Sequence, residues 1–84
     1  MLKIRVSEPI DDIKRILSPI KNEICIVHNR REDDYFIVTP NSNLRFIQTN
    51  LSVLGFEDFA EKDRTNFFFS NDDILLIGRT DFMQ

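Results

Sequence analysis

The stretch that decides the fold is residues 23–39, EICIVHNRREDDYFIVT. Two apolar runs rich in β-branched and aromatic residues, Ile24-Cys25-Ile26-Val27 and Tyr35-Phe36-Ile37-Val38-Thr39, flank a fully polar segment from Asn29 to Asp34. Such runs read as strands, and the polar segment between them reads as the loop of an antiparallel hairpin. Arg30 and Arg31 in that loop stand beside Glu32, Asp33 and Asp34, so much of their charge cancels locally.

Upstream, Leu2-Lys3-Ile4-Arg5-Val6 alternates strictly between apolar and charged, the period of a strand with one buried face. Lys3 and Arg5 are expected on its outer side. Pro9 follows, suited to the first turn of a helix because its missing N–H is not needed there. Ile10, Ile13, Ile16, Leu17 and Ile20 then recur at helical spacing, with Asp11 and Asp12 placed for the positive end of the dipole. Pro19 should end this helix near Ser18.

Downstream, Pro40 to Asn43 reads as a turn in which Asn41, Ser42 or Asn43 supplies a capping oxygen. Leu44, Ile47, Leu51 and Leu54 continue at helical spacing, and Gly55 is expected to close this second helix at C′. Residues 56–63 fit either an edge strand or a helical turn. Asn66 to Ser70, carrying Phe67-Phe68-Phe69, and Ile74 to Ile77 read as two more strands around an Asn71-Asp72-Asp73 turn. With two glycines in the chain, the turns must rely on asparagine and aspartate.

The order strand, helix, strand, strand, helix, strand predicts an α+β fold, the ferredoxin-like βαββαβ plait or a closely related two-layer sandwich. Two helices lie on one face of an antiparallel sheet, with an extra C-terminal hairpin. The 84 residues are expected to form a single domain spanning 1–84.

This architecture leaves too many apolar side chains. Helices on one face should leave strands polar on the other, yet only the first strand alternates. If five apolar side chains stood on a wet second face, about 8–15 kcal/mol of burial would be forgone. That is comparable to the stability of a whole domain. A second copy, another protein, or the chain's own C-terminal part is therefore expected to cover that face.

The chain carries 11 Lys+Arg and 14 Asp+Glu, for a net charge of -3. The charge is uneven: residues 1–31 sum to +3 and residues 32–84 to -6. One cysteine and one histidine preclude a disulfide framework and a zinc site built from this chain alone. Cys25 and His28 are three apart, which on a strand puts them on opposite faces. The carboxylate pairs Asp11/Asp12, Asp33/Asp34, Glu57/Asp58 and Asp72/Asp73 fall in turns and caps. No cofactor or metal site and no catalytic constellation is expected. No apolar run approaches a membrane span, and the free thiol suits a reducing, cytoplasmic compartment.

The reading these features favour is a small non-enzymatic protein-interaction module, a regulator, inhibitor or accessory subunit. Its partner would be a larger protein or its own copy. The expected contact residues are Tyr35, Phe36, Phe67, Phe68 and Phe69, with Glu57, Asp58 and Glu61 as an acidic rim. One alternative is an RNA-binding plait using Lys3, Arg5, Arg30 and Arg31, against which the acidic balance weighs. A small-molecule-sensing regulatory domain is the other.

Overall fold

The computed structural model describes residues 1–58 and 73–78. They form a five-stranded, wholly antiparallel sheet with helices, an α+β architecture. In chain order the elements are β1 (Leu2–Val6), α1 (Ile10–Ile16), a 3-10 stretch (Ser18–Glu23), β2 (Cys25–Asn29), β3 (Asp34–Thr39), a 3-10 turn (Asn41–Asn43), α2 (Leu44–Asn50), β4 (Val53–Asp58) and β5 (Asp73–Ile77). The strand order is β4-β1-β3-β2-β5. Among the described residues β5 stands beside β2 as a fifth strand, an order that differs from the expected four-stranded plait. The first strand of the expected C-terminal hairpin, with Phe67 to Phe69, lies outside the described residues, as does Glu61.

The hairpin of residues 25–39 forms as its pattern demands, with Cys25 opposite Val38 and Asn29 opposite Asp34. Its turn places Asp33 at φ 52, the left-handed region that aspartate tolerates better than most residues. The Asn29 side chain accepts the Arg31 backbone N–H at 3.2 Å.

α1 begins one residue later than expected. Pro9 stands outside it, and its carbonyl accepts the Ile13 N–H at 3.0 Å. α1 ends at Ile16, two residues before Ser18 and close to where Pro19 was expected to stop it, and the chain continues in the 3-10 stretch with a kink at Ile20. Proline fits the start of such a stretch, where no donor is required.

α2 departs further from its expected form. It stops at Asn50, and Leu54 and Gly55 belong to β4 instead of to a helix and its C′ position. β1 offers the 53–58 segment a ladder of backbone pairing broken at one bulge, with Ile4 opposite Phe56 and Arg5 opposite Gly55. One more helical turn offers less. The switch is anchored by the Ser52 N–H, which donates to the Glu8 carboxylate. The expected asparagine cap is also absent. Neither Asn41, Ser42 nor Asn43 places an oxygen on the first turn. Asn43 Nδ2 donates to Thr39 Oγ1 at 2.9 Å, and Asn41 Nδ2 to Asp58 Oδ2 at 3.0 Å, so both side chains fasten the turn to the sheet.

The main core lies between the sheet and the helices. Leu2, Ile4, Val6, Ile26 and Ile37 meet Ile13, Leu17, Ile47 and Leu51, all buried. Part of the opposite face is shielded as well. Cys25, Val27 and Val38 alternate with the helix-facing residues of β2 and β3, yet each is fully buried within the single chain. The expected apolar surplus is therefore real, and at these positions the chain itself shields it.

Candidate functional site

The residues expected to form one contact surface divide between two faces. Tyr35 pairs across the sheet with Val6, and directly opposed residues share a face. It packs against the helix-side core and stacks on His28 at 5.0 Å between ring centres. Phe36, opposite Arg5, is on the other face. The two rings therefore cannot serve a single partner surface.

On that second face the two β1 cations are engaged within the chain. Lys3 Nζ lies 4.1 Å from the centre of the Phe36 ring and 3.6 Å from Asp73 Oδ2. The Lys3 side chain is 12 % exposed and that of Asp73 4 %. Arg5 Nε donates to Asp34 Oδ2 in a close ion pair, with the Asp34 side chain nearly buried. The other Asp34 oxygen is buried with no hydrogen-bond partner. The Arg5 side chain remains 40 % exposed. Arg30 and Arg31 lie in the hairpin turn, where the Arg31 guanidinium lies 3.9 Å from Glu32. Three cations of the nucleic-acid reading, Lys3, Arg5 and Arg31, thus each have a carboxylate of the chain beside them.

A hollow of about 370 Å³ opens beside β4. Lys3, Arg5 and Phe36 line one side; Leu54, Gly55, Phe56 and Glu57 line the other. Gly55 contributes no side chain to it. No atom of the described residues lies within 4 Å of the position a Cβ would take there, and that position is directly opposite Arg5.

β4 is also where large apolar side chains meet solvent. Leu54 is 56 % exposed and Phe56 47 %. Among the described residues β4 is an edge strand, flanked by β1 alone. Leu54 falls at a bulge, where β4 has one residue more than β1 between the Arg5 and Val6 pairings. Glu57 and Asp58, two residues of the expected acidic rim, close the strand and point to opposite faces. Asp58 is committed, lying 3.6 Å from the amino terminus of Met1 and accepting from Asn41. At the other sheet edge Ile74 and Leu76 of β5 are exposed as well.

Sequence reasoning missed Leu54 because it continues the helical spacing of Leu44, Ile47 and Leu51, and it left Phe56 open between an edge strand and a helical turn. Gly55 was the available signal, since one glycine in an apolar run fits an edge strand as readily as a helix end.

Cys25 and His28 do lie on opposite faces, Cys25 paired with Val38 and His28 with Tyr35. His28 Nε2 instead meets Asp33 Oδ1 at 2.9 Å. Among the described residues no group of three or more His, Cys, Asp or Glu could hold a metal ion. No described helix is long and apolar enough to cross a membrane. No family model matches the chain, and neither a curated protein nor a solved structure matches it.

Proposed function

We propose that the protein is a small, non-enzymatic protein-interaction module that docks its partner along the β4 edge. The observation that carries this reading is the exposure of Leu54 and Phe56 on an edge strand. An edge strand presents unpaired N–H and C=O groups that a second chain can complete, and apolar side chains beside them add affinity. The contact surface thus moves from the sheet face to its rim, keeping Glu57 and Phe36 at its margin. The fold class consistent with this role is a ferredoxin-like plait with β5 added beside β2. The buried free thiol of Cys25 suits a reducing, cytoplasmic setting.

The RNA-binding alternative loses support from the engagement of Lys3 with Asp73 and of Arg5 with Asp34. The small-molecule alternative keeps one supporting observation, the size of the hollow beside Gly55.

A photo-crosslinking residue placed at Leu54 tests the proposal in extracts of the native source. The expected result is a discrete protein adduct that disappears with Phe56→Ser. Absence of any protein adduct at Leu54 refutes the docking edge. Salt-sensitive binding of single-stranded RNA that survives Phe56→Ser favours the RNA reading instead.

A further inference from the structure

The docking edge proposed above leaves its occupant open, and the charges around Gly55 point to one. We infer that β4 pairs antiparallel with β4 of a second copy, in the register that centres Phe56 on its symmetry mate. This inference rests on the β4 edge being a docking surface.

In that register Glu57 of each copy stands opposite Gly55 of the other. Glu57 and Gly55 lie on the same sheet face as Lys3 and Arg5, their cross-strand partners on β1. The incoming carboxylate therefore arrives on the face of the hollow. Gly55 has no side chain to bar its way, and a Cβ there would fill otherwise open space. The β1 backbone is two strand spacings from the incoming strand, about 10 Å, a gap that glutamate and arginine side chains close together. Arg5 lines the hollow with its Nε fixed on Asp34, so the remaining guanidinium donors can receive a carboxylate.

On the opposite face the two Phe56 rings meet at the symmetry axis, removing the most exposed aromatic surface of the strand from water. The antiparallel direction also keeps the acidic ends apart, since Asp58 faces Leu54 and Glu57 faces Gly55. A parallel pairing would stack Glu57 and Asp58 on their own copies. The occupant is thus isologous, each copy giving Glu57 and receiving at Arg5.

Sedimentation equilibrium across about two decades of concentration, up to the millimolar range, tests the inference. The wild-type chain is expected to show a monomer–dimer equilibrium that weakens as salt rises. Three exposed substitutions, each checked for an unchanged urea midpoint at low concentration, divide the contributions. Glu57→Lys and Gly55→Val should each weaken the dimer about tenfold or more, the first by reversing the charge and the second by closing the path to Arg5. Phe56→Ser should abolish it. A wild type that stays monomeric throughout overturns the second copy as occupant, while the Leu54 crosslink separately decides whether the edge docks another protein. A dimer lost with Phe56→Ser but indifferent to Glu57→Lys and Gly55→Val overturns this register. A dimer indifferent to all three places the interface elsewhere and overturns the inference.

Discussion

Truncating Val38 tests whether the second sheet face is core. Val38 lies on β3 between Lys3 of β1 and Cys25 of β2, on the side away from the helices, and is fully buried. Val38→Ala removes two carbons' worth of buried apolar surface, about 1.6 kcal/mol at the usual value per methylene. Its neighbours cannot collapse freely into the gap, because Cys25 and Val27 beside it are themselves wholly buried. A cavity contribution therefore adds to the transfer loss, giving about 2–3 kcal/mol in all. For a domain of this size the melting temperature should fall by about 8–24 °C. Urea denaturation followed by circular dichroism measures the loss directly, with Leu54→Ala as the exposed control, expected to cost no more than about 0.5 kcal/mol. The loss should be the same at low and high protein concentration, because the shielding comes from within one chain. A cost for Val38→Ala as small as that of the control refutes the reasoning. So does a cost that appears only at concentrations where chains associate.

The two glycines should respond oppositely to alanine. Gly78 has φ 132, and a Cβ there would approach Cys25 Cα to 2.7 Å, so Gly78→Ala should destabilise by about 2 kcal/mol or more in thermal melts. Gly55→Ala, with open space and no such backbone requirement, should be neutral or stabilise by up to about 1 kcal/mol in the same measurement. Lys3→Met leaves the Asp73 carboxylate buried without its cation and should cost about 2–4 kcal/mol in urea denaturation, whereas Lys3→Met with Asp73→Leu should recover most of that loss. Asp34→Asn should cost only about 1 kcal/mol by the same assay, because Arg5 is partly exposed and water screens its side of the pair.

Much of the sheet could be read locally. The alternation of Leu2 to Val6 reappears as alternating buried and half-buried positions. The polar segment from Asn29 to Asp34 did become the hairpin end, though its turn is confined to residues 30–33, with an aspartate at its left-handed position. The end of α2 was not legible, because Leu51 and Leu54 satisfy the helical period while Val53 to Asp58 also satisfy a strand. Pairing with β1, some fifty residues away in the chain, decided between them. The fate of Lys3 and Arg5 was hidden for the same reason. Alternation correctly turned both away from the helices, but their partners Asp73 and Asp34 are 70 and 29 positions distant. A charged residue on an outward face therefore looked free when it was already held.

The strand order carries a consequence for biosynthesis. Among the described residues, the three inner strands all come from the first 39 residues, while both rims come from beyond residue 52. A chain emerging from the ribosome can thus close its central hairpin and β1 long before either margin exists. Until then the nascent sheet has two bare flanks, the condition in which neighbouring polypeptides stick together. β4 and β5 cover those two flanks only once they have been made, so the inner strands stay bare for as long as the synthesis of residues 40–77 takes.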